Sequence, residues 1–490
     1  MNLLYANNYS YWVQQIQNTG VYKELYESQR GVDMSNSNVR NMTEGKEFSL
    51  LIRFAFPMLI GNIFQQFYNL IDSIIVGHFV GSDALAAVGT SASLHFLFFS
   101  LCIGMSTGIA ILISQYFGAN QEKEVKKTIA NAIYIIMTAG VLMSGISVIF
   151  ARQILVLLNT DPKILDDSVA FMQIMCGGII AVAAYNGIAA ILRALGDAKT
   201  PLIFLIISCL LNVALDLLFV CVFHWGVRGA GVATVISQFI AAVSCGIYAV
   251  IKNPYFRIKR QDMKFDKFIM KKSILIGLPV AAQTALIAVS CVILQGVVNS
   301  FGKDVTAAFT AAGRVEQLVQ QPFNSLGAAV STFAGQNIGA RKLDRVRKGF
   351  NKSIIMVAVF SLFMLVLIQL TSRPIMQLFV DNAEVIRIGS KALKITSLFY
   401  FPLGMIYVAR GTLNGAGDAA YAMLVGLVEV IGRVGFAAIL VTIPFIGIWG
   451  IWYTSGLTWF ITGLFSVIRY KQGKWKRMSL IDKKITVMET

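Results

Sequence analysis

The chain has 490 residues, of which 56% are hydrophobic and only 14% charged, with a mean hydropathy of +0.68. Soluble domains carry about 25% charged residues, so this composition excludes a soluble enzyme or nucleic-acid-binding domain as the body of the protein and suits about twelve membrane helices. The net charge of +17 is spread over alternating loops, which is the signature of membrane topology rather than of a nucleic-acid footprint.

Residues 1–45 are polar and irregular, with no basic stretch followed by an apolar core, so they are not read as a secretory signal. They are expected to be a tail or an over-long start, with Met34 and Met42 as alternative starts, and no function is assigned to them. Twelve apolar segments follow, near 50–79, 84–116, 126–150, 165–192, 201–223, 229–251, 273–300, 305–337, 352–371, 389–409, 420–443 and 447–468. An even number puts both termini on one side. That side collects 32 of the lysines and arginines and the opposite side 8, which predicts that both termini are cytoplasmic in a multi-pass protein of the cell (inner or plasma) membrane.

The two halves are related by a shift of 221 residues. Gln115, Gly118 and Ala119 fall on Gln336, Gly339 and Ala340. Gly196, Asp197 and Ala198 fall on Gly417, Asp418 and Ala419. Arg152 falls on Arg373, and Gly226 and Gly229 fall on Gly447 and Gly450. The fold class expected is therefore all-α and polytopic, with twelve transmembrane helices in two six-helix bundles related by a pseudo-two-fold axis along the membrane normal. The expected divisions are an N-lobe at 46–252, a basic cytoplasmic linker at 253–272, a C-lobe at 273–470 and a cytoplasmic tail at 471–490.

Ionisable residues within the spans are few and costly, so each is a candidate for function. They are Asp72, His95, Asp216, Arg314, Glu316, Glu429 and Arg433. Glu429 and Arg433 lie four apart and can neutralise each other on one helix face, or serve a substrate. Arg314 and Glu316 lie two apart and need partners elsewhere. Asp72 and Asp216 have no basic residue at helical spacing, and Asn212 shares a face with Asp216. These carboxyls either fix helix packing or converge with amide and hydroxyl oxygens into a site for a proton or a small alkali cation.

No HExxH, GxSxG or GxxxxGK[ST] motif occurs, the three histidines are widely spaced, and the six cysteines sit in apolar segments without a CxxC pair. With no nucleotide motif, an ion gradient is the expected energy source. A secondary transporter is the class this predicts, rather than an enzyme, a receptor or a channel.

Three stretches resemble the MATE (multidrug and toxic compound extrusion) family. The first runs from Pro57-Met58-Leu59-Ile60-Gly61-Asn62 through Asp72-Ser73-Ile74-Ile75-Val76-Gly77 and is similar to the family's first helix with its aspartate. The second is the repeated Q-x-x-G-A in Gln115–Ala119 and Gln336–Ala340. The third is Arg193–Pro201, which resembles the R-x-x-G-D motif after helix four. The resemblance spans about residues 46 to 470.

In the DinF-like branch it implies a cation-coupling site of Asp72, Asn212, Asp216 and Thr234, with the carbonyl of Ala230 as a further ligand, for H+ or Na+. The NorM-like branch uses C-lobe acids, one of them on helix seven, where this chain offers only Gln283. The resemblance is therefore closer to the DinF-like branch. It implies cation-coupled antiport of amphipathic, often cationic compounds by alternating access, with no cofactor and a monomer in the bilayer. Substrate-cavity candidates by position are Phe64, Gln65, Tyr68, Met175, Tyr185, Gln295, Gln320 and Met405. The small residues Gly177, Gly178, Gly187 and Gly313 are candidates for close helix approach or bending. The alternative is a lipid-linked oligosaccharide flippase of the same superfamily. It would need basic residues lining the cavity, for which the spans offer Arg314 and Arg433.

Overall fold

The computed structural model describes residues 38–157, 160–478 and 480. Expectations for residues 1–37 and 481–490, Met34 included, lie outside the described residues. Among the described residues there are fourteen α-helices and no strand. In chain order they are α1 Glu47–Phe79, α2 Ser82–Gly118, α3 Glu122–Leu157, α4 Pro162–Gly177, α5 Ile179–Ala194, α6 Lys199–Asp216 and α7 Gly226–Lys252. The second half supplies α8 Lys267–Asn299, α9 Lys303–Gly339, α10 Leu343–Gln377, α11 Ala383–Ser397, α12 Tyr400–Ala416, α13 Ala419–Leu440 and α14 Gly450–Lys471.

The twelve predicted spans are all present. Ten are single helices, and two are bent pairs, α4 with α5 at 42° and α11 with α12 at 52°. The first bend falls at Gly178, where a Cβ would overlap the Val235 side chain of α7. Glycine is therefore what lets the bent span pack against its neighbour. Several helices outrun their apolar segments. The segment near 126–150 is the middle of the 36-residue α3, which at 1.5 Å per residue is far longer than the ~30 Å hydrocarbon layer and so projects beyond it.

One span departs from the apolar pattern. Helix α9 carries Lys303, Asp304, Arg314, Glu316 and several amides, and it is the one long helix that fails as an apolar membrane span among the described residues. It packs on α1, α2, α10, α11 and α12. A helix shielded by protein on most sides needs no continuous apolar surface.

The first helix of each half begins inside the core of the other half. Met42, Leu51 and Phe54 belong to the C-lobe core, whereas Ile269, Ile276 and Val280 belong to the N-lobe core. The pseudo-two-fold axis exchanges these two crossings. Close approach of α2 to α8 depends on Gly104, Gly108 and Gly277, where a Cβ at either α2 position would overlap the α8 backbone.

At the end of the molecule that carries the described termini, the lobes are latched by the repeated Q-x-x-G-A motif. Gln115 Nε2 donates to the Gly415 carbonyl and Gln336 Nε2 to the Ala194 carbonyl, each at 2.9 Å and each across the lobe boundary. The amide oxygens accept from the two terminal segments, Gln336 from Met42 N at 2.8 Å and Gln115 from Leu480 N at 2.9 Å. Gly118 and Gly339 let the facing carbonyls of Gln336 and Gln115 approach, where a Cβ would overlap them. The terminal segments cross the two G-D turns. Gly196, at φ +85°, leaves room for the Arg40 carbonyl, and Gly417, at φ +86°, lies under Leu480. The short stretch 38–46 is therefore packed into the lobe boundary.

Candidate functional site: a two-carboxylate cluster and an interlobe cavity

The local fold around Asp216 explains why it meets Thr234. Asp216 is the last residue of α6, and a π-helical turn, Leu217–Val222, follows directly. Such turns are rare and often lie at functional sites. His224 and Gly226 then take positive φ values and reverse the chain into α7. Gly229 packs on the Phe219 backbone, with 3.1 Å left for a Cβ. This tight reversal lays α7 along α6, and α1 packs against both.

Asp72 of α1, Asn212 and Asp216 of α6, and Thr234 of α7 meet in this corner. Asp216, Asn212 and Ala230 are fully buried. The Asp72 and Asp216 carboxyls lie within hydrogen-bond reach of each other. The Asn212 amide fits its surroundings with the nitrogen toward Asp216, an orientation fixed by the hydrogen-bond network. Its nitrogen then donates to Asp216 Oδ2 at 2.8 Å, and its oxygen accepts from Thr234 Oγ1 at 3.3 Å and Thr234 N at 3.1 Å. With the Thr234 hydroxyl donating to Asn212, the Tyr68 hydroxyl donates to Thr234 Oγ1 at 3.2 Å.

One oxygen of each carboxyl, Asp72 Oδ1 and Asp216 Oδ1, is buried without a hydrogen-bond partner. The apolar cluster of Ile75, Val76, Phe171, Val220, Val227 and Ala230 closes the corner. Two carboxylates this close in an apolar setting repel, so a proton between them or a cation on their oxygens is the chemistry that stabilises the pair. All four side-chain ligands of the sequence reading are brought together, and the Ala230 backbone lies one turn from Thr234.

The remaining candidates are placed differently. Tyr68 belongs to the carboxylate corner. Tyr185 is buried and donates to the Pro201 carbonyl at 2.8 Å. Met175 packs on the apolar cluster behind the carboxylates. Gln295 donates to Asn299 at 2.8 Å on an exposed face. Phe64 is exposed, and Gln65 and Met405 are half-buried. Gln320 accepts from the Tyr407 hydroxyl at 3.3 Å.

The space between the lobes is a cavity of about 600 Å³ bounded by α2, α5, α8, α9 and α12. None of the eight predicted cavity residues lines it, although Tyr407, the partner of Gln320, does. Its wall instead combines Phe96, Ile103 and Ile287 with Gln283, Asn324, Asn414, Arg193 and Arg410. The count of charges by side puts both arginines in loops, at the ends of apolar segments, although Arg193 also opens the R-x-x-G-D motif. The structure places both on the cavity wall.

The other intramembrane charges now have places. Glu429 and Arg433 form a buried ion pair at 2.9 Å, and Arg433 also donates to Cys291. Glu316 hydrogen-bonds Thr396 and keeps one buried oxygen without a partner. Arg314 is exposed and borders a shallow depression near Phe379 at the far end of the molecule.

A duplicated six-span bundle with a central cavity and a buried carboxylate pair in one lobe defines a polytopic membrane transporter rather than an enzyme. The chain belongs to the MatE family, whose model matches residues 57–218 and 279–439, one match per lobe. It is 29% identical to the probable multidrug resistance protein YpnP of Bacillus subtilis, over 91% of this chain and 99% of that protein. It is 24% identical to a probable multidrug resistance protein NorM of Thermotoga maritima, over 88% of this chain and 94% of that protein. A MOP-superfamily transporter of Pyrococcus furiosus has the same fold, with a TM-score of 0.83, 21% identity, and coverage of 91% of this chain and 98% of that structure. The relatives do not separate the DinF-like from the NorM-like branch, so the assignment is to the family as a whole. The protein is a transporter of the MATE family, and the flippase alternative is not favoured.

Proposed function

We propose that the chain is a cation-coupled antiporter in which the Asp72–Asp216 cluster is the coupling site. H+ or Na+ entering from the outer side binds the carboxylate pair, and an amphipathic compound leaves by alternating access. The observation that carries this reading is the pair itself, two converging carboxyls with an unpartnered oxygen on each. Asn212 and Thr234 complete an all-oxygen and amide environment, which suits a proton or a hard alkali ion. The reading takes the latched end, where the described terminal segments lie, as cytoplasmic, because that side collects the lysines and arginines. Ion binding then changes the relative stability of the latched and unlatched states, as coupling requires.

The test is efflux of a fluorescent substrate from cells expressing Asp72→Asn, with the amount of protein in the membrane measured alongside. Active efflux is expected to be lost while membrane expression is kept. Normal efflux by this variant removes Asp72 from the coupling site.

A further inference from the structure

The interlobe cavity has the opposite charge character from the carboxylate corner. Arg193 closes α5 and Arg410 lies on α12, so the two guanidinium groups come from different lobes and border one space. Among the described residues the cavity wall contains no aspartate or glutamate. Neither arginine has an ion-pair partner among the described residues, and Arg410 rests over the Tyr407 ring at 4.8 Å. The nearby acid of the C-lobe, Glu429, is already taken by Arg433. Asp72 and Asp216 stand on α1 and α6, outside the wall.

Two like charges that border one space and lack a carboxylate partner repel. A structure that keeps both without a carboxylate leaves the counter-charge to come from elsewhere. Two amides of the wall are open to a ligand, Gln283 Nε2 as a buried donor without an acceptor and Asn414 Oδ1 as a buried acceptor without a donor. The arginines stand at the latched end, since Arg193 immediately precedes Ala194, whose carbonyl Gln336 holds. Apolar side chains, Phe96, Ile103 and Ile287 among them, line the rest. The volume of about 600 Å³ is that of a site for a drug-sized molecule.

We propose that this cavity takes an amphipathic organic anion, with its carboxylate, sulfonate or phosphate head between Arg193 and Arg410 and its apolar body along the α2–α8 wall. Guanidinium groups grip such heads through paired hydrogen bonds, which a lysine does not reproduce. This charge preference is the reverse of the cationic one that the family resemblance suggests. It rests on the reading of the interlobe space as the transport path, but not on the coupling ion.

The test is binding to the purified full-length protein with no ion gradient imposed. Carboxyfluorescein is the anionic probe and ethidium the cationic one, and binding is read by fluorescence anisotropy. Carboxyfluorescein is expected to bind and ethidium not to displace it. Arg193→Gln and Arg410→Gln should each weaken carboxyfluorescein binding at least tenfold, while the lysine replacements keep part of it. The lysine variants separate lost charge from lost folding. Repeating the titration in phosphatidylcholine liposomes with added phosphatidylglycerol identifies the source of the head group. Displacement by the lipid points to an anionic lipid, and no displacement to a soluble anion; both keep the anion assignment. Absent carboxyfluorescein binding, equal binding of ethidium, or carboxyfluorescein binding unchanged in the double glutamine variant would overturn it. Because no gradient is used, failure of the antiport reading leaves this result untouched. Gradient-driven ethidium efflux without carboxyfluorescein binding would defeat the anion inference alone.

Discussion

At the residue scale, Asn212 decides how the carboxylate pair is held. It links Asp216 to Thr234 and sits one helical turn from Asp216. A hydrogen bond to a charged group contributes about 1.5–3 kcal/mol, so its loss corresponds to roughly a 10- to 100-fold weaker ion site. Asn212→Ala removes one polar partner and little volume. The expected outcome is a raised half-saturating concentration of the coupling ion in transport assays, with thermal stability changed far less. An unchanged ion dependence would leave Asn212 as a packing residue. The acids and Asn212 were legible in the sequence because polar groups in an apolar run are conspicuous. The place of Arg193 and Arg410 on the cavity wall was not, since hydropathy places a charge at the end of a segment in a loop whether it faces water, lipid or an internal cavity; for Arg193 the motif was visible but not the direction of its side chain.

At the element scale, two structures outside the carboxylate corner carry predictions. The first is the linker before α8. Asp266 caps α8 by accepting from Phe268 N at 2.8 Å and Ile269 N at 3.1 Å, and pairs with Lys127 at 2.6 Å. Burial pushes its carboxyl up, but the Lys127 hydrogen bond and the two backbone donors outweigh this and hold its pKa below the ordinary 3.8. A depressed carboxyl pKa contributes stability above its unfolded value and loses it as pH falls through the folded one. Asp266→Asn should therefore be less stable than wild type by a constant margin from pH 8 to about pH 5, with the gap closing below about pH 4. Melting curves of the two proteins across that range check it; a gap that is flat to pH 3 would assign the effect to the cap alone.

The second is the latch. Removing Gln115 or Gln336 leaves buried donors and acceptors unpaired, at about 1–3 kcal/mol each. Gln115→Ala with Gln336→Ala should shift the equilibrium toward an open latched end. Spin labels at positions 123 and 344 in electron–electron resonance would show a longer mean distance. No change in distance would mean that the closed end is held by the glycine-mediated contacts of α2, α8 and α9. The Q-x-x-G-A repeat was visible in the sequence, but its role was not. Its partners, the Gly415 and Ala194 carbonyls, are backbone atoms some 140 to 300 residues away. The packing of 38–46 was hidden for the same reason, since a polar segment satisfied by main-chain hydrogen bonds leaves no hydrophobic pattern.

For the whole molecule, the twelve spans and the duplication could be read because both are periodic, in hydropathy and in a single offset. What the sequence did not convey is how the halves interlock. Each lobe begins in the core of the other, and α9 is polar because protein, not lipid, surrounds it. The symmetry also makes the functional asymmetry plain. Position 212 carries the asparagine of the carboxylate corner, and the position 221 residues later carries Arg433, paired with Glu429. The positions that correspond to Asp72 and Asp216 carry Ile293 and Ala437, so the two lobes share a scaffold but not the carboxylate pair. Only the N-lobe has a converging carboxylate pair among the described residues, and the proposed coupling site rests on that asymmetry.

The measurement that tests this most directly is substrate efflux in everted membrane vesicles, with a proton gradient or a sodium gradient imposed separately, for wild type and Asp72→Asn at matched protein levels. The account predicts that one of the two gradients drives transport by the wild type and that neither drives it in the variant. Equal gradient-driven transport by Asp72→Asn, or wild-type transport indifferent to both gradients, would contradict it.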